Sequence, residues 1–180
     1  MKLENLLRLC RQKESSAQRE LVGRYAPFVS LIAKRYARST ADAKDILQDS
    51  LIIIFRKLDQ CTAKEEAGFK AWIQRITINT ALQSFRKSYR KNEVSTDVIR
   101  DHRLQLPEID SKLHVEDILK LLKFLPDTER QVFNLKVIDG YKHDEIAKML
   151  NIQVSSSRAL LTRARQQLQT LLKKTAKMHS

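Results

Sequence analysis

A chain of 180 residues with 42% hydrophobic content can bury a real core, as one compact domain or as two small ones, and this excludes a chain disordered throughout. Three glycines and three prolines are too few for a turn-rich β fold or a glycine-rich phosphate loop, so the abundance of Leu, Ala, Lys, Arg, Gln and Glu predicts an all-α fold. A net charge of +13 attracts polyanions, with nucleic acid the first candidate and an anionic membrane surface the second.

The opening residues, MKLENLLRLCRQKESS, scatter an acid and several bases through a short apolar pattern and so lack a signal-peptide core. No later apolar run approaches membrane-spanning length, so no membrane insertion is expected. Leu3, Leu6, Leu7 and Cys10 instead make a short amphipathic helix. Leu21, Val22, Tyr25, Phe28, Val29, Ile32 and Tyr36 continue the same period in a longer one, where Pro27 is expected to place a kink. Cys10 and Cys61 are far apart with no CxxC or Cys/His cluster, which indicates neither a zinc site nor a disulfide framework and fits a reducing cytoplasm.

Ser39 and Thr40 offer a cap for a helix over Ala41 to Leu58, whose Ala43, Ile46, Leu47, Ser50, Leu51, Ile54 and Leu58 form its buried stripe. Asp45, Gln48 and Asp49 fall outside that stripe at i, i+3 and i+4 and project together, with Ile52 one turn further along. In a chain this basic, the acidic face is either a solvated helix surface or a docking surface for a basic partner.

After the looser QCTAKEEAG, the stretch Phe69 to Lys91 interleaves Trp72, Ile73, Ile76, Leu82, Phe85 and Tyr89 with Lys70, Arg75, Arg86, Lys87, Arg90 and Lys91. Its β-branched middle, ITINT, suits a strand locally, but the flanks run at helical period and no partner strand is near, so helix is the reading. Asn79, Thr80 and Gln83 beside cations and aromatics can grip a phosphate backbone and catch an unpaired base, unless Trp72 and Phe85 are simply core.

Residues 92–111, NEVSTDVIRDHRLQLPEIDS, lose the period, mix charges and contain Pro107, which predicts a flexible linker. Two small helical domains result, residues 1–91 and 112–180. In the second, Leu113 to Phe124 and Asp127 to Ile138 give two helices separated by Pro126, and Gly140 stops the second of them.

Tyr141 to Arg165 then reads as helix, tight turn and helix: Ile146, Ala147 and Leu150 recur at helical spacing, and Asn151 tolerates the left-handed conformation that ends the run. On the following helix Val154, Leu161, Ala164, Leu168 and Leu172 line one stripe. Ser155, Ser156, Ala159, Thr162, Arg163 and Gln166 occupy the opposite arc, with Arg158 adding to its charge. Small residues let a helix enter the major groove closely, hydroxyls and amides can bond base edges or phosphates, and arginine can fork onto guanine or phosphate oxygens. This completes a four-helix unit of helix-turn-helix type. A plain helical hairpin with a solvated face is the competing reading, but from Ile146 onward the chain has no Asp or Glu and seven Lys or Arg, where a merely solvated face would mix signs.

No HExxH, P-loop or G-x-S-x-G occurs, and His102, His114, His143 and His179 are scattered without ligand spacing, so no enzyme, metal or cofactor is expected. A helix-turn-helix regulator acting on duplex DNA without other machinery remains an alternative for the whole chain.

With the segments DILQDSL (Asp45 to Leu51), FKAWIQRITINTALQSFRK (Phe69 to Lys87), LPDTERQVFNLKVIDGY (Leu125 to Tyr141) and DEIAKMLNI in this order and spacing, the chain resembles the extracytoplasmic-function (ECF) sigma factors of bacterial RNA polymerase. The resemblance implies an N-terminal region 2 that binds the polymerase clamp and opens the minus-ten element, and a C-terminal region 4 that reads the minus-thirty-five element. By it, Asp45, Gln48 and Asp49 sit at the surface that contacts core polymerase, and the helical spacing adds Ile52 to that set. By it too, Asn79, Gln83, Arg86 and Lys87 fall where the family contacts minus-ten DNA, and Arg158, Thr162 and Arg163 fall in the minus-thirty-five recognition helix; the helical reading adds Arg75 to the first set and Ser155, Ser156, Ala159 and Gln166 to the second. The resemblance also implies an anti-sigma partner. Lys44, Gln83, Asn151, Ser157 and Leu160 depart from the family pattern, with Ser157 standing where an apolar residue and Leu160 where an arginine is common.

Overall fold

The computed structural model describes residues 1–92 and 115–177, which form helices with no strand among the described residues. The chain divides into two compact units, residues 1–90 and 91–180. The predicted linker lies outside the described residues, except for Asn92 at the end of a helix.

In the first unit α1 (Leu3–Arg11), α2 (Ser15–Tyr36), α3 (Thr40–Arg56) and α4 (Glu66–Asn92) surround one core. Leu3, Leu6, Leu7 and Cys10 of α1 meet Leu21, Tyr25 and Val29 of α2, Ile54 of α3, and Phe69 and Ile73 of α4. Tyr25 meets Phe69 edge-on at 4.9 Å between ring centroids, and Trp72 stacks on Phe69 at 5.7 Å. Each such aromatic pair contributes roughly 0.5–1.5 kcal/mol beyond its buried area.

Local chemistry sets the helix ends. Ser39 and Asp42 form a reciprocal capping box: the Asp42 N–H donates to Ser39 Oγ at 3.0 Å, and the Ser39 N–H donates to Asp42 Oδ2 at 3.1 Å. At its far end α3 stops at Arg56, short of the expected Leu58. Leu58 instead opens a tighter turn through Gln60 and remains buried. Arg11 braces that turn by donating to the carbonyls of Leu58 and Cys61.

α2 is helical across Pro27. The ring removes the N–H that would reach the carbonyl of Gly23, but both residues are exposed and water can satisfy the carbonyl. In α4 the β-branched middle is helical, and the hydroxyls of Thr77 and Thr80 donate to the carbonyls of Ile73 and Ile76, each at 2.9 Å. Thr80 is thereby buried, which corrects its expected place among the outward polar groups.

The second unit contains α5 (Val115–Leu122), α6 (Asp127–Phe133), α7 (His143–Leu150) and α8 (Val154–Lys177). The helix expected over Asp127 to Ile138 changes character at Asn134. There the backbone bonding widens to five residues, the Asp139 N–H reaching the Asn134 carbonyl at 2.9 Å. Gly140 closes this segment at φ 78°, in the left-handed region. Leu122, Leu125 and Ala164 form a core that Phe133 and Leu168 cover, and Ile146, Ala147 and Leu161 are also buried.

Candidate nucleic-acid interface

The turn between α7 and α8 is made by Asn151 at φ 55° and ψ 50°, and the Ile152 N–H closes it on the carbonyl of Ala147 at 3.0 Å. At the other end of α7 the Lys142 N–H donates to Glu145 Oε2 at 2.7 Å, which satisfies one of the free donors where the helix starts. α8 packs on both α6 and α7.

On α8, Ser157, Leu161 and Ala164 turn inward, while Ser155, Arg158, Ala159, Thr162, Arg163 and Gln166 are exposed. Ser156 is half-buried, so the arc is narrower than expected on that flank. At the other limit, Leu172 of the expected buried stripe is 36% exposed, which corrects its place in that stripe. Thr162 donates its hydroxyl proton to the Arg158 carbonyl at 3.1 Å, leaving its oxygen as an acceptor and its methyl as an apolar contact. A small, cationic, amide-bearing arc of this kind can bond phosphates and base edges in a major groove.

Sequence periodicity alone missed Ser157 as an inward residue. It is fully buried, and its Oγ lies 2.9 Å from Nδ1 of His143, the first residue of α7. Burial holds the His143 imidazole below its ordinary pKa, Lys136 and Arg158 push in the same direction, Asp144 opposes them, and Arg165 adds a smaller push downward.

In the first unit Arg75, Asn79, Gln83, Arg86 and Lys87 are all exposed along α4, at spacings that keep them on one side. Trp72 and Phe85 are half-buried, and the Arg38 guanidinium lies over the Phe85 ring at 5.5 Å. On α3, Asp45, Gln48, Asp49 and Ile52 are exposed, Ile52 at 53%.

The start of α4 is fixed by a carboxylate that periodicity did not single out. Glu66 accepts from Arg24 at 2.8 Å and from the Tyr25 hydroxyl at 2.9 Å. Burial and this bond to a carboxylate push the Tyr25 phenol well above its usual pKa. Cys10 and Cys61 are free and buried, and burial raises the Cys10 pKa, with Glu20 adding to it, which leaves that thiol unreactive. Among the described residues no group of three or more His, Cys, Asp or Glu is placed to hold a metal, and no helix is long and apolar enough to cross a membrane.

Comparison with known proteins adds family information to this geometry. Residues 21–91 match the family model Sigma-70 region 2, and residues 116–168 match Sigma-70, region 4. The ECF RNA polymerase sigma-E factor of Salmonella typhimurium is 28% identical over 158 residues, spanning 81% of each chain. The ECF RNA polymerase sigma factor SigE of Mycolicibacterium smegmatis is 28% identical over 164 residues, 86% of this chain and 61% of the relative. Among solved structures, the sigma factor RpoE from Bartonella quintana, crystallised with the anti-sigma factor NepR, matches with a TM-score of 0.55 at 24% identity. That match covers 86% of this chain and 96% of the other.

Proposed function

We infer that this chain, which belongs to the ECF group of the sigma-70 family, is a sigma factor that binds core RNA polymerase, recognises promoter DNA and promotes its melting for transcription initiation. It catalyses no covalent chemistry and acts in the cytoplasm, where polymerase and DNA meet. Residues 1–91 serve polymerase and the minus-ten element, residues 112–180 serve the minus-thirty-five element, and residues 92–111 tether them.

Exposure and charge support the roles proposed for individual residues. Asp45, Gln48, Asp49 and Ile52 of α3 form the polymerase contact, a carboxylate-bearing patch with an apolar centre suited to a basic partner surface. Arg75, Asn79, Gln83, Arg86 and Lys87 of α4 hold the minus-ten DNA, with cations on phosphates and amides on the edges of bases leaving the stack. The α8 arc of Ser155, Ser156, Arg158, Ala159, Thr162, Arg163 and Gln166 reads intact duplex, Ser156 only at its margin. The observation that carries this reading is that Asp45 and Asp49 stand exposed one turn apart on α3, while the outward faces of α4 at Arg75, Arg86 and Lys87 and of α8 at Arg158 and Arg163 carry cations. A partner protein of the anti-sigma class, like the one crystallised with the Bartonella relative, would compete for these same faces.

The test is reconstitution: purified chain with core polymerase on a promoter library, scoring transcripts and open complexes against polymerase alone. The expected result is promoter-specific transcription that needs both components. Duplex binding without transcription would restore the reading as a regulator that acts apart from polymerase.

A further inference from the structure

The two helices of the duplex-binding hairpin are joined by a polar pair in a place where packing would ordinarily be apolar. Ser157 lies on the inward side of α8 between Val154 and Leu161 and has no exposure, yet it carries a hydroxyl. That hydroxyl meets Nδ1 of His143 at 2.9 Å, and His143 opens α7 from a half-buried position. A buried hydroxyl without a partner costs about 1–3 kcal/mol, so the histidine satisfies Ser157 and fixes where α7 starts relative to the inner face of α8.

A passive space-filling pair would end there, but the charges around the ring add a second property. Lys136 from the widened segment after α6, and Arg158 and Arg165 from α8, act on the imidazole, with Asp144 on its own helix opposing them. In the free protein burial first, and then Lys136 and Arg158, disfavour the charged ring. Arg158 belongs to the arc assigned above to duplex DNA, so phosphates that neutralise it act on the same ring. In an imidazolium both nitrogens donate. Nδ1–H then donates to Ser157 Oγ, so the helix-to-helix bond survives whichever tautomer the neutral ring holds, and Nε2–H offers a phosphate oxygen a charge-assisted donor. The first helix of a helix-turn-helix crosses the DNA backbone, where acceptors of this kind lie.

We propose that His143 is a proton-linked positioning residue of the duplex-binding hairpin, so that binding of duplex DNA is accompanied by uptake of a proton from solvent onto its ring. The proposal rests on the assignment of α8 to duplex DNA and adds a dependence on pH to it. The sign follows from linkage: the bound form favours the charged ring more than the free form does. Affinity for duplex therefore rises as pH falls through the window between the pKa of the bound state and the lower one of the free state.

The test uses the full-length chain and a fluorescein-labelled duplex, with affinity measured by anisotropy from about pH 8 to about pH 5. The His143 ring is followed in parallel by nitrogen-15 NMR in the free and duplex-saturated protein. His143→Gln keeps a neutral side chain able to bond Ser157, preserves the fold by circular dichroism, and identifies the His143 resonance by its loss. The expected result is a ring that titrates at higher pH when duplex is bound, and a several-fold gain in affinity at low pH that shrinks in His143→Gln. A ring whose titration is the same free and bound, or a variant with the pH profile of the unmodified chain, overturns the proton link while leaving the duplex assignment standing. Absence of duplex binding at every pH overturns both.

Discussion

Asn151 holds the hairpin turn in the left-handed region at φ 55°, a conformation that an L-residue with an ordinary Cβ adopts at a cost of roughly 1–2 kcal/mol and that asparagine tolerates better through its short amide. Asn151→Ala should therefore lower stability by about 1 kcal/mol, and Asn151→Gly should match or exceed the unmodified chain. Urea unfolding of the full chain followed by circular dichroism measures the difference, and an alanine variant of unchanged midpoint would remove the argument. This residue was legible in the sequence because a polar, turn-tolerant side chain interrupts an apolar period. Ser157 was not, since a hydrophobic pattern scores serine as outward and its partner His143 is fourteen residues earlier. Thr80 escaped for a related reason: its hydroxyl is absorbed by the carbonyl of Ile76, an interaction that polarity alone does not reveal.

Helices were more legible than their ends. The periods of α1 through α4 and of α7 and α8 are strong enough to survive a proline in α2 and a β-branched run in α4, because tertiary burial of one stripe outweighs local propensity. The widened segment after Phe133 was not legible, since Asn134 to Ile138 keep a plausible helical pattern while the bonding shifts by one residue. On α3 the buried stripe and the exposed acids occupy different sides, which makes a clean substitution possible. Asp45→Arg combined with Asp49→Arg reverses the charge of a surface without touching Ile46, Ser50 or Ile54 beneath it. The double variant should keep its helical circular dichroism and lose association with core polymerase, by tenfold or more if the pairs are desolvated on binding, roughly 1.4 kcal/mol or greater. Co-purification with core enzyme and competition against the unmodified chain report the loss, and retained association would displace the polymerase contact from α3.

Across the whole molecule, charge is distributed unevenly: the chain carries +13 overall, has no acid from Ile146 to its end, and shows exposed acids beside one another on α3. A field of this form draws the free chain to any duplex and makes that binding fall steeply with salt. On the proposed assignment, specific promoter binding depends on two interactions, one from each compact unit. Arg163→Ala should weaken binding to duplex containing the upstream element by ~1–3 kcal/mol if the guanidinium forks onto a base, and by less if it touches only phosphate. Arg86→Ala with Lys87→Ala should weaken binding to the unpaired minus-ten strand and reduce its salt slope by about 0.7 for each phosphate that is no longer neutralised. Because the substituted side chains belong to different units, the combined variant in holoenzyme should lose the sum of the two separate losses to within ~0.5 kcal/mol on a promoter carrying both elements. Equilibrium promoter binding across a salt series measures all three. A combined loss well below the sum would mean that the units do not engage their elements independently, since interactions already forfeited through one substitution would leave the other less to remove.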